Sequence, residues 1–232
     1  MNRLGQPVGP PVPGWKPPPR PPRAVIEGRH CRLEPLDAAR HAAALHAANA
    51  LDREGRMWTY LHDGPFVSPG DYRAWLEARE DPTDPLFLAI VDHASGQASG
   101  LASYLRIEPQ NGSIEVGHLQ FSPRLQRTTA ATEAMYLMMK QAFELGYRRC
   151  EWKCDALNAA SRRAAERLGF TFEGIFRQAV VYKGRNRDTA WYSVIDSEWP
   201  RLESGFRRWL DPGNFDAAGR PRSGLAALRT PT

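Results

Sequence analysis

The alternation of apolar and polar positions along the chain changes period between its first and second halves. From His30 to Glu34 a short run alternates as a strand does. From Asp37 to about Asn49 apolar residues recur at helical spacing behind an aspartate suited to capping the first turn. A second helix is predicted over Pro69–Arg79, opened by Ser68. Three strand-like runs follow, Leu86–Asp92, Ala98–Ile107 and Ser113–Phe121, with Ser95-Gly96 and Asn111-Gly112 as the turns of an antiparallel meander. Then helical spacing returns. A helix over Thr129–Leu145 stops at Gly146, a strand covers Arg148–Asp155, and a helix over Ala159–Leu168 stops at Gly169. Two long strands, Phe170–Lys183 and Asp188–Ser197, close around Gly184-Arg185-Asn186-Arg187. A meander followed by β-α-β-α-β predicts an α+β fold with a mixed central sheet and helices on both faces.

Composition changes this picture at the ends. Nine prolines within residues 1–22 predict an extended or disordered arm, so the domain is expected over residues 24–209, between a proline-rich arm (1–23) and a flexible tail (210–232). The formal charge of +5 belongs to those ends. The first 23 residues carry Arg3, Lys16, Arg20 and Arg23 and no acid, and arginines outnumber acids in the last 26. The part between is slightly acidic, which argues against nucleic-acid binding by the core. No apolar run reaches the ~20 residues of a membrane helix, and the start lacks an export signal. Cys31, Cys150 and Cys154 fit no common metal spacing. They predict reduced thiols in a cytoplasmic protein, with no metal; Cys150, Trp152 and Cys154 read as one buried strand face.

The segment Leu125–Met135 opens its helix with small and hydroxylated residues, Gln126, Arg127, Thr128, Thr129, Ala130, Ala131 and Thr132, and nothing bulky before Met135. Small side chains let another molecule approach the first-turn N–H groups, which have no partner within the helix and favour an anion. The plainer alternative is a helix start packed on the sheet. No Gly-x-Gly-x-x-Gly or Walker-type loop competes for phosphate.

An ordered set of motifs then resembles the GCN5-related N-acetyltransferase (GNAT) superfamily, most closely its branch acting on ribosomal-protein N-termini. Glu115-Val116-Gly117 precedes the Gln126–Ala134 loop and helix start, followed by Asn158-Ala159-Ala160-Ser161, Arg167-Leu168-Gly169-Phe170 and Glu173-Gly174. The match covers roughly residues 30–199. It departs where the family loop has glycines and this chain has Arg127 and Thr129, whose bulk bears on cofactor affinity.

The resemblance implies acetyl-CoA as cosubstrate and a primary amine as acceptor, either a protein N-terminus or a small amine. It places the pyrophosphate on Gln126–Thr132 and the pantetheine arm along the backbone of Leu119 and Phe121. Glu115 is the candidate base; alternation sets it on the face of Gly117, Leu119 and Phe121, opposite His118, in a largely apolar cleft. An ordinary solvated strand glutamate is the competing reading. Asn158 is a cofactor contact or the cap of its helix. Ser161 is the candidate proton donor to the departing thiolate, with Tyr182 in reserve, and Trp58 and Tyr60 are candidate walls for the acceptor. A homodimer is one assembly the resemblance allows. Two other functions fit the same residues: an acyl-CoA-binding interaction module without turnover, and transfer from another acyl-CoA such as succinyl-CoA.

Overall fold

The structure is a computed structural model that describes residues 1–229. Its strands are β1 (Ile26–Glu27), β2 (Cys31–Pro35), β3 (Leu86–Asp92), β4 (Gln97–Glu108), β5 (Ser113–Phe121), β6 (Arg149–Asp155), β7 (Thr171–Tyr182) and β8 (Arg185–Ile195). They form one sheet in the order β1-β2-β3-β4-β5-β6-β8-β7, in which only β5 and β6 run parallel. The helices are α1 (Ala38–Asn49), α2 (Pro69–Glu77), α3 (Thr129–Glu144), α4 (Ala159–Leu168), α5 (Trp199–Leu210) and α6 (Leu225–Leu228).

Local chemistry fixes the helix ends. Asp37, Ser68, Thr128 and Asn158 each cap a first turn by accepting from the backbone N–H three residues on, at 3.0–3.3 Å. The sheet carries one core on each face. Leu88, Tyr104, Val116, Met138, Cys150, Tyr192 and Phe206 belong to the face covered by α3 and α5. Leu45, Tyr72, Leu76, Phe87, Ala89 and Leu101 belong to the face covered by α1 and α2. The predicted α+β sandwich of a mixed sheet between helices is the observed fold.

One buried carboxylate sews the long helix to the first strands. Glu133, 4 % exposed, accepts from the backbone N–H groups of Arg29 (3.0 Å), His30 (2.6 Å) and Cys31 (2.9 Å). Gly28 makes room for it, since a Cβ there would stand 2.7 Å from the Glu133 carboxylate.

The ends differ from the sequence reading. The proline-rich arm runs without helix or strand to Val25, yet Pro18 and Pro21 are buried and Arg23 donates to the Glu80 carbonyl. Trp15 lies against Gly112 (φ 64°), where a Cβ would stand 2.3 Å from its ring. Beyond the last strand the sequence reading placed no element, but Trp199, Leu202, Phe206 and Trp209 recur at helical spacing and bury one face of α5. The segment after Asp211 folds back on it: Leu225 is 2 % exposed within the α3-side core, and Phe215 packs edge-on to Trp209. Two apolar anchors among polar residues were too sparse to read as an element.

Candidate active site

β5 and β6 pair only over Ser113–Glu115 with Arg149–Glu151. Beyond Glu115, β5 stays with β4 while β6 follows β8, so the two parallel neighbours part and leave a wedge between Val116–Phe121 and Trp152–Asp155. Parted strands leave peptide groups without ladder partners, and an extended chain with amides can use them.

Both strands lead, at the wide end of the wedge, into helix starts. Before α3, Arg127 holds a left-handed backbone (φ 62°), a conformation glycine adopts freely and an arginine enters at a cost of roughly 1 kcal/mol. Thr128 Oγ1 accepts from the Ala131 N–H at 3.1 Å and donates to the Leu125 carbonyl at 2.7 Å. The Thr132 N–H reaches the Thr128 carbonyl at 3.4 Å. The N–H groups of Arg127, Thr129 and Ala130 are thereby left without a partner among the described residues, three donors at the positive end of a helix dipole. Other members of the run have structural duties. Gln126 Nε2 closes the turn on the Phe121 carbonyl at 2.8 Å, and Thr132 Oγ1 accepts from Arg167 Nη2 of α4 at 2.7 Å. Ala130 and Ala131 are buried.

At the narrow end stands Glu115, 3 % exposed. Its surroundings are charged, not apolar as the sequence suggested: Oε2 accepts from Arg106 Nη1 at 2.7 Å and from Lys153 Nζ at 2.9 Å. Lys153 also reaches Glu151 Oε2 at 2.7 Å and lies 3.7 Å from the Trp191 ring centroid. The chain of charges continues through Arg149 to Glu173, which accepts from Ser193. Burial pushes the Glu151 carboxyl upward, but hydrogen bonds from Lys153 and Arg149 prevail and hold it low; Arg149 holds Glu173 low as well. The parallel register builds this cluster, setting Glu151 beside Glu115.

Alternation also fails along β5. Between the pairs Ser103↔Gly117 and Leu101↔Gln120 the strand gains a residue, and His118 turns to φ 48°. His118 therefore shares the Glu115 face, stacking on Phe87 (5.1 Å) and meeting Ser103 Oγ at 2.8 Å. Leu119 and Phe121 instead pack against the α3-side core.

The sequence profile of the acetyltransferase (GNAT) domain matches residues 30–171. The chain belongs to the GNAT acetyltransferase family. A GCN5-related N-acetyltransferase from Brucella melitensis is similar to it over 94 % of this chain and 99 % of that one, with 47 % identity and a TM-score of 0.92. YdaF of Bacillus subtilis, provisionally named a ribosomal N-acetyltransferase, is 26 % identical over 72 % of this chain and 90 % of its own. The ribosomal L7/L12 α-N-protein acetyltransferase RimL shares the fold, with a TM-score of 0.64 at 22 % identity over 74 % of this chain and 94 % of that one.

Within this GNAT frame the remaining candidates separate. Asn158 caps α4 through its carbonyl, which accepts from Ser161 N at 3.0 Å. Ser161 Oγ accepts from Trp152 Nε1 at 3.0 Å, which ties the first turn of α4 to a β6 side chain. Tyr182 donates to Asp155 Oδ2 at 2.9 Å; burial and that carboxylate push its phenol up to about 12. Tyr60 donates to the Leu157 carbonyl at 3.3 Å and reaches the β6–α4 loop. Trp58 is 4 % exposed, set edge-on to Phe66 and Tyr72, so its ring is core beneath the site and no wall for a substrate.

The sequence reading missed Arg106, Lys153 and Arg167. Lys153 carried a signal, as the one cation between Glu151 and Asp155 on an otherwise alternating strand. The three cysteines are buried, unpaired and scattered, and burial pushes the Cys31 and Cys150 thiols far up. Among the described residues no group of three His, Cys, Asp or Glu could hold a metal, and no helix is long and apolar enough to cross a membrane.

Proposed function

We propose that this GNAT protein transfers the acetyl group of acetyl-CoA to a primary amine, a protein N-terminus or a small amine, by direct attack inside the wedge. The observation that carries the reading is the alignment of three unpartnered N–H donors at the start of α3 with a parted pair of strands that ends at a buried carboxylate. The donors suit a pyrophosphate, with the Thr129 hydroxyl beside them, and the peptide groups of β5 around Leu119 suit the amides of pantetheine. Glu115, fixed by Arg106 and Lys153, takes the proton of the attacking amine directly or through water. Backbone N–H groups of β5 stabilise the oxyanion. Ser161 is the donor to the departing thiolate and Asn158 borders the cofactor through its free amide. Tyr182, which keeps its proton through the neutral range, is the alternative donor. Three unpaired thiols support a cytoplasmic setting.

Calorimetric titration with acetyl-CoA, followed by CoA-thiol release over a panel of amines, tests the reading. Binding that weakens about tenfold in Thr129→Tyr, together with amine-dependent thiol release, is expected. Absence of acetyl-CoA binding overturns it.

A further inference from the structure

On the Glu115 face the wedge opens under the segment 56–62, which is tied across to the β7–β8 hairpin. Lys183 Nζ donates to the Trp58 carbonyl at 2.7 Å, and the ring of His62 lies 5.4 Å from that of Tyr182. The guanidinium of Arg187 lies 5.9 Å from the centroid of the same tyrosine ring, on the strand face that also carries Trp191 beside Lys153. Arg187 is half-buried, its Nε is sealed from water without a partner, and among the described residues no carboxylate pairs with it. Three other cations of this region are matched by carboxylates: Arg79 with Asp63 at 3.0 Å, Arg106 with Glu115, and Lys153 with Glu115 and Glu151. Lys183 meets only a neutral carbonyl.

Among the described residues Asp155, held by Tyr182 and the Leu157 N–H, is the one carboxylate here without a cation of its own, and it offsets only one of Lys183 and Arg187, so positive charge is in excess where the acceptor would enter. Both imidazoles there register it. Burial, then Arg187 and Arg106, hold His62 below its ordinary value; enclosure, then His62 and Arg106, lower His118 to about 4, although water reaches part of its ring. A guanidinium with unused donors in a partly dry site is a bidentate receptor for a carboxylate.

We propose that Arg187 is a subsite for a carboxylate that the acceptor carries close to its amine, so that the preferred substrates are acidic amines. The inference rests on the acetyl-transfer reading for its chemistry. The same cationic surroundings favour the neutral form of the incoming amine, because a nearby like charge makes an ammonium group release its proton more readily. The carboxylate is drawn in and the amine arrives ready to attack.

The test compares initial rates of acetylation of three amidated peptides, Ser-Glu-Glu-Tyr, Ser-Gln-Gln-Tyr and Ser-Lys-Lys-Tyr, and of free glutamate, by the full chain. The expected order of kcat/KM is Glu over Gln over Lys, with about tenfold between the first two. Arg187→Gln removes the advantage of the acidic peptide, and Arg187→Lys retains most of it. Equal rates for the three peptides, or an acidic preference untouched in Arg187→Gln, overturn the proposal. Free glutamate outrunning the acidic peptide assigns the carboxylate to a small amino acid; the reverse assigns it to a peptide side chain. If no amine is acetylated, the transfer reading fails by itself. Calorimetric binding of the Glu and Lys peptides to the CoA-saturated protein then decides the subsite: tighter binding of the acidic peptide, lost in Arg187→Gln, supports it, and equal binding overturns it.

Discussion

Where α3 begins, the groups turned toward the wedge belong to the backbone of three neighbouring residues. On the opposite side they are side chains gathered from distant parts of the chain: Arg106 of β4, Glu115 of β5, Lys153 of β6, and Tyr182 and Arg187 at the ends of β7 and β8. The first wall is set by the start of a helix, where the side chains hold the turn and the donors are backbone N–H groups. The second is set by identities, and one substitution there alters charge balance. A fold built this way can keep its cosubstrate while exchanging acceptors.

The largest expected effect breaks the backbone wall through its foundation. Glu133→Ala takes the acceptor from three N–H groups, that of Cys31 buried and those of Arg29 and His30 part-buried, and costs about 2–4 kcal/mol, read as a lower urea midpoint with loss of acetyl-CoA binding. Next comes the side-chain wall. Glu115→Gln lowers kcat by about a hundredfold while acetyl-CoA affinity stays near that of the wild type, and an unchanged kcat removes the base assignment. Thr129→Tyr should do the opposite, weakening acetyl-CoA by about tenfold in calorimetry through crowding of the free donors. Arg127→Gly relieves a left-handed arginine but frees the unfolded chain, so a net gain of only about 0.5 kcal/mol is expected in thermal melts.

The mildest effect is a pH dependence carried by the charge chain behind the side-chain wall. Glu151 and Glu173 are held below their ordinary 4.5 in the folded protein. Their contribution to stability is present above about pH 4.5 and is lost as pH falls through the lowered values. Denaturant midpoints between pH 5 and 3 should therefore fall less steeply in Glu173→Gln than in the wild type.

The two walls also differ in how far they could be read from the sequence. The run from Thr128 to Thr132 announces a helix start with small residues, and α3 begins at Thr129 as predicted, with Thr128 found as its cap. The bounds of β3 and β5 were legible because apolar alternation and turn residues agree there. The partners of Glu115 were not, because the register of β5 on β6 pairs residues 36 apart, and no local pattern encodes it. His118 went to the wrong face because one inserted residue reverses alternation without leaving a glycine as a mark. Trp58 misled for a simpler reason: an aromatic residue on a loop reads alike whether it points in or out.

The hydrogen bonds of Glu133 give the molecule a remote listening post. The amides of Arg29, His30 and Cys31 lie before and at the start of a strand more than a hundred residues from Glu133 in sequence, yet their protection depends on that side chain in the first turns of α3. Any event that loosens or tightens the start of α3 should appear as faster or slower deuterium uptake at those three amides, without a probe being placed in the site itself.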